Sequence, residues 1–140
     1  MLNVNRYCYA CMGLLTEENG VCPHCGHDNR IRYQDDDCLP GTVLQGQYLV
    51  GKPLGRGGFG VTYLAMDMAL ERKVAIKEFY PSSMAIRTGD GYTMRSRTGS
   101  EGEYTHGCER ALEEGRVGAR MGQVPGVVQI YSAFEANGTV

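Results

Sequence analysis

The chain has 140 residues, and 14 Lys and Arg against 16 Asp and Glu leave a formal charge of −2. That near balance argues against a globally basic nucleic-acid binder. No apolar run approaches the roughly 18–20 residues that span a bilayer, and the first residues lack the apolar stretch of a secretory signal. The expectation is a cytoplasmic chain with no membrane segment of its own, membrane anchoring by downstream sequence staying open. Its 20 glycines cluster rather than recur with a period, which points to functional loops and not to a collagen-like repeat.

Cysteines stand at 8, 11, 22, 25, 38 and 108, and the first four are patterned. Cys8-Tyr9-Ala10-Cys11 and Cys22-Pro23-His24-Cys25 are two Cys-x2-Cys pairs, a spacing that lets two thiolates converge from one tight turn. Two such turns supply a tetrahedral S4 site suited to Zn²⁺. The alternatives are two disulfides, which need an oxidising compartment, or a redox Cys-x-x-Cys, which needs no second matching pair. Residues 1–29 therefore read as a zinc ribbon with Cys8, Cys11, Cys22 and Cys25 as ligands and Asn19-Gly20 as a hairpin tip. So short a segment buries too little core to fold alone, so the metal would fold it. His24 and His27 are expected in solvent because four thiols fill the shell, and Cys38 and Cys108 are expected as free thiols.

Residues 30–43, with Asp35-Asp36-Asp37 and Pro40-Gly41, read as a linker, the aspartates as a solvated spacer and not a cation site. Residues 1–40 hold three Lys/Arg against six Asp/Glu, so the metal module is acidic. A protein partner at the ribbon fits that balance better than nucleic acid.

From Tyr48 the texture changes to short apolar runs. Tyr48–Leu54 and Val61–Met66 read as strands flanking Gly55-Arg56-Gly57-Gly58-Phe59-Gly60. G-x-G-x-x-G alone is weak evidence. A dinucleotide-binding fold would need a helix directly after Gly60, whereas β-branched and aromatic residues follow, so the loop joins antiparallel strands. Such a tip can offer backbone N–H groups to phosphates, with Phe59 shielding them from water. Lys73–Phe79 alternates as a strand, with Val74, Ile76 and Glu78 on one face and Ala75 and Lys77 on the other. Lys77 follows the last loop glycine by 17 residues.

Leu54 through Gly60 together with Val74-Ala75-Ile76-Lys77 resembles the N-terminal lobe of a bacterial eukaryotic-like (Hanks-type) Ser/Thr protein kinase. The resemblance covers residues 44–140. It implies an α+β fold, a small β ribbon followed by a partial kinase lobe of antiparallel sheet plus helix C. It implies ATP as cofactor, held by Leu54, Gly55, Arg56, Gly57, Gly58, Phe59, Gly60, Thr62, Ala75 and Lys77. Leu54, Thr62 and Ala75 would line the adenine pocket, and Lys77 would hold the α/β-phosphates. Thr62 stands where the family carries valine. Glu114 would form the activating ion pair with Lys77, Glu113 being the fallback and a local Arg110–Glu114 pair the alternative.

Residues 80–104 read as a long polar loop whose Arg87, Arg95 and Arg97 are either solvated or dock a phosphorylated segment. Cys108, Ala111, Leu112, Gly115 and Ala119 then recur with helical period, Thr105 being the candidate N-cap. Gly107, Gly115, Gly118 and Gly122 should soften that helix and make it easy to move, which would make or break the ion pair. Val127–Phe134 reads as a strand and Asn137-Gly138 as a hairpin turn. The missing return strand suggests a fragment, and no His-Arg-Asp or Asp-Phe-Gly sequence occurs. The expectation is the ATP-binding front of a kinase, inactive by itself, with Mg²⁺ and protein substrates belonging to the complete protein. The alternative is a non-catalytic zinc-binding adaptor with a vestigial kinase lobe.

Overall fold

A computed structural model describes residues 4–18, 20–31 and 37–140; Asn19 at the expected hairpin tip and Asp35 and Asp36 of the linker lie outside the described residues. The fold is α+β. Its alternating apolar runs become a four-stranded antiparallel meander of β1 (Val43–Leu44), β2 (Tyr48–Gly57), β3 (Gly60–Asp67) and β4 (Arg72–Phe79), each strand beside its sequence neighbour. The β3–β4 turn is held by buried Asp67, whose Oδ1 accepts the Ala69 and Leu70 N–H groups at 3.1 and 3.2 Å and the Gln47 side-chain amide at 2.9 Å. Among the described residues no helix is long and apolar enough to cross a membrane.

Register defines two faces. Thr62 opposes Lys77, Leu64 opposes Ala75 and Met66 opposes Lys73, while Val61 opposes Glu78, Tyr63 opposes Ile76 and Ala65 opposes Val74. Because opposed residues project to one side and neighbours to opposite sides, the sheet has a Lys77 face and a Tyr63 face. The N-terminal module covers one end of the Lys77 face. Tyr9 and Met12 form a buried cluster with Leu49, Met66 and Met68, flanked by Tyr7 and Leu64. The Lys52 N–H donates to the Tyr9 carbonyl at 2.8 Å. Contact is close enough to require glycine at 51, where a Cβ would lie 2.5 Å from the Tyr9 oxygen and 2.6 Å from Met12 Cε.

The Tyr63 face is covered by the segment expected as a solvated spacer. Cys38 packs with Val50, Val61 and Tyr63, with Leu44 beside them, and Asp37 is buried too. Val61 and Tyr63 present apolar surface that water would otherwise meet, and residues 37–44 remove it.

Three further expectations are corrected. Residues 80–104 are not a loop throughout: β5 (Ala85–Arg87) and β6 (Met94–Ser96) form an antiparallel hairpin. Asp90 closes it, accepting the Tyr92 and Thr93 N–H groups at 2.9 and 2.7 Å, and Tyr80, Ala85, Met94 and Tyr104 share a small core beneath it. The helix α1 (Glu101–Arg120) begins after Ser100, not Thr105, because buried Tyr104 already belongs to its apolar face. Val127–Phe134 forms no strand. It lies along α1, with Ala133 against Gly115 and Ile130 against Gly118, and it places Phe134 on Tyr48 and Tyr131 under the Arg72 guanidinium. Asn137-Gly138 does turn the chain, with φ of 51° and 82°, and Ala136 bridges Thr139. The chain then returns to β4, where the Phe79 N–H donates to the Val140 carbonyl at 2.9 Å.

Candidate functional site

Two groups of residues carry chemistry. In the first, Tyr7 bridges Leu14 and Val21 bridges Asp28, so each Cys-x2-Cys turn is the tip of a short antiparallel loop. The sulfurs of Cys8, Cys11, Cys22 and Cys25 all lie within 4.8 Å of one another. The Cys8–Cys25 and Cys11–Cys22 pairs are 3.6 and 3.7 Å apart. A disulfide would need about 2.05 Å, whereas tetrahedral bonds of about 2.3 Å to zinc put sulfurs about 3.8 Å apart. The donor set and its spacing therefore fit a zinc-sized tetrahedral ion.

Backbone amides are already turned toward these sulfurs: Ala10 N–H to Cys8, Gly13 N–H to Cys11 and His24 N–H to Cys22, at 3.3–3.4 Å. Burial pushes the Cys8 thiol up to about 12. Desolvation also opposes ionisation of Cys22, but the Cys25 and His24 amides bring it down to about 6. Such donors disperse thiolate charge, as a bound cation does more strongly. Asn29, which the sequence reading passed over, joins the two turns. Its Oδ1 accepts the Tyr9 N–H at 3.0 Å, and its Nδ2 donates to the Tyr7 carbonyl at 2.7 Å.

The second group sits at the β2–β3 tip and on the Lys77 face. Gly55 opposes Thr62 and Gly57 opposes Gly60, so the glycine-rich segment is a hairpin end and no helix follows it. Phe59 at the tip is exposed, as is Leu54. Lys77 opposes Thr62 across β3–β4, and its Cε lies 3.6 Å from where a Gly60 Cβ would stand. A Cβ there would also strike the Glu78 carbonyl, so the tip rests against the strand that carries Lys77. Thr62, Ala75 and Lys77 thus share one open surface beneath the loop.

Glu114 is not brought to Lys77. Among the ion pairs of the described residues, Glu113 takes Arg120 at 3.5 Å, and no pair joins Lys77 to Glu113 or Glu114. The reason is where the helix touches β4. Gly107 packs on the Phe79 ring, with its Cβ position 2.8 Å from Cζ, and Tyr104 stacks on the same ring. Glu114 lies seven residues, about 10 Å, further along the axis, on an exposed position. Arg87 is neither solvated nor free to take a phosphate: its side chain is 3% exposed and grips Glu78 through two bonds of 2.6 and 2.8 Å. Arg97 reaches back to the Ser82 carbonyl at 2.8 Å.

Behind the sheet the hydrogen bonding is continuous. The Cys38 N–H donates to the Tyr63 hydroxyl at 2.9 Å, and that hydroxyl donates to Glu78 Oε1 at 2.9 Å. Burial and the Glu78 charge raise the Tyr63 phenol above its ordinary range. Burial, again with the Glu78 charge, raises the Cys38 thiol to about 11, so it stays protonated. One residue before Cys38, Asp37 pairs with Arg56 of the glycine-rich loop. Sequence offered only alternation as a signal for this line, which put Glu78 opposite Lys77 but could not supply its partners.

Comparison with known proteins agrees with this architecture. PpkA-294, a bacterial Ser/Thr kinase solved in its apo form, matches with a TM-score of 0.66 and 32% identity over 74% of this chain. The chain spans 36% of that protein's length. No family model and no curated protein matches. The likeness supports a kinase-like N-terminal region.

Proposed function

We propose that this chain is the ATP-binding front of a bacterial cytoplasmic Ser/Thr protein kinase, built onto a structural zinc module. The observation that carries the reading is the placement of Lys77 opposite Thr62 and beside Gly60, at the root of a G-x-G-x-x-G hairpin. Backbone N–H groups of Gly55, Gly57, Gly58 and Gly60 would meet the phosphates, with Arg56 and Phe59 carried on the same tip. Leu54, Thr62 and Ala75 would bracket the adenine, and the Lys77 ammonium would reach the α/β-phosphates. Glu114 would become its partner only after α1 moves. Zinc at Cys8, Cys11, Cys22 and Cys25 would fix the module, whose exposed side is open to a protein partner.

Transfer of the γ-phosphate to protein Ser or Thr needs a catalytic aspartate and Mg²⁺ ligands, and neither family motif occurs in these 140 residues. That activity therefore belongs to a longer protein. The test is equilibrium binding of a fluorescent ATP analogue, with Mg²⁺, to the zinc-loaded chain. We expect Lys77→Met to weaken binding at least tenfold, about 1.4 kcal/mol. Equal affinity of the variant and the parent would overturn the assignment of Lys77. The adaptor reading is favoured by one observation, the separation of Glu114 from Lys77, and it expects no nucleotide binding by either protein.

A further inference from the structure

We propose that Asp37 is a positioning residue for the glycine-rich loop, acting through Arg56 from the face of the sheet opposite Lys77. Its consequence for ligand binding rests on the nucleotide reading above; its structural part does not.

Arg56 opposes Val61, whereas Gly55 opposes Thr62. Alternation therefore sends the Arg56 side chain to the Tyr63 face while its neighbours border the Lys77 face. There the guanidinium meets the Asp37 carboxylate, whose side chain is 2% exposed against 41% for Arg56. A carboxylate so deeply buried is tolerated only when paired, so the pair is a condition of the linker's packing and not an incidental surface contact. The rest of the loop is held by backbone alone: Gly55 and Gly57 pair with Thr62 and Gly60 along the ladder, and the Phe59 carbonyl accepts the Tyr80 N–H at 2.9 Å. Four of the six residues from Gly55 to Gly60 are glycine, the residue with most backbone freedom to lose, and Phe59 is 70% exposed. Of the two non-glycine residues of the tip, Arg56 is the one whose side chain is anchored, through its ion pair with Asp37.

The tie continues beyond Asp37. The next residue, Cys38, donates its N–H to Tyr63, Tyr63 donates to Glu78, and Glu78 is gripped by Arg87 of β5. Glu78 is the neighbour of Lys77 and projects to the opposite face. One polar line therefore backs both the phosphate-facing loop and the strand that bears the lysine. A loop held this way loses less freedom when a ligand orders it, and affinity rises accordingly.

The experiment compares the zinc-loaded chain with Asp37→Asn, Arg56→Gln and the double variant, by amide hydrogen exchange of residues 55–60 without nucleotide and by ATP-analogue affinity. We expect each single variant to speed exchange in the loop and weaken the analogue roughly tenfold, with the double variant no worse than either single one, because the two act as one pair. If Asp37→Asn does not fold, the double variant, which removes both charges, decides alone. Unchanged loop exchange in a folded variant would overturn the proposal. Faster exchange with unchanged affinity would overturn its role in binding. Failure of the parent chain to bind nucleotide would instead sink the nucleotide reading, and the exchange result would still decide whether Asp37 orders the loop.

Discussion

Asn29 is 9% exposed and sits between the two cysteine turns, occupied at both ends of its amide by backbone of the first turn. Truncation to alanine would leave the Tyr9 N–H and the Tyr7 carbonyl without partners in a place water reaches poorly. We expect Asn29→Ala to cost about 1–3 kcal/mol of folding stability. Zinc affinity should drop by roughly 10–100-fold, as for other groups that orient ligands, measured by competition with a chromophoric chelator. Unaltered affinity would mean that the four thiols hold their geometry unaided. The cysteines themselves were legible from spacing because tetrahedral coordination constrains chain length between ligands. Asn29, Asp37 and Tyr63 were not, because nothing local marks a side chain whose partner lies some twenty residues away in sequence.

At the scale of elements, α1 shows how a compositional signal can be read in two ways. Gly107, Gly115 and Gly118 suggested a soft helix. All three are on its packed face, and their missing side chains let Phe79, Ala133 and Ile130 approach the helix backbone. A Cβ at Gly115 would lie 2.6 Å from the Ala133 Cβ, which has no torsion to yield, whereas Gly118 faces the flexible end of Ile130. Alanine in an exposed helix gains about 1 kcal/mol over glycine, and overpacking costs about 1–3 kcal/mol. Gly115→Ala should therefore destabilise or displace residues 127–134, while Gly118→Ala should come out near neutral; urea denaturation of both variants checks the order, and the reverse order would refute it. The strands β2 and β3 were readable as apolar, β-branched and aromatic runs on either side of the glycine-rich segment, and β4 because alternation reports which side of a sheet is wet. Val127–Phe134 is an equally apolar run, but a strand also needs a neighbour's edge, and composition carries no information about that. The β5–β6 hairpin was missed for the converse reason: Asp90 and its hydrogen bonds make a turn inside a stretch whose polarity suggested none.

For the molecule as a whole, the N-terminal module and the sheet share one apolar core, since Tyr9 and Met12 pack directly on Leu49 and Met66. Metal bound by the module would then stabilise the sheet as well, because ligation energy is folding energy. We expect chelation to lower a single cooperative melting transition by about 10 °C or more, followed by far-ultraviolet circular dichroism. Two transitions, with the sheet's own unmoved, would show the module to be an independent bead. The meander places every strand beside its sequence neighbour, so most of the sheet can form by local closure, whereas long loops are spanned by the return of Phe134 to Tyr48 and of Val140 to Phe79 and by the contact of module with sheet. That contact also has a direction in time. A chain emerging at about 5–20 residues per second completes the two cysteine turns before β2 exists, and Met66 follows Asn29 by roughly two to seven seconds at those rates. For that interval the newborn module presents Tyr9 and Met12 to solvent, and the hairpin that later carries the glycine-rich tip arrives to find its floor already laid.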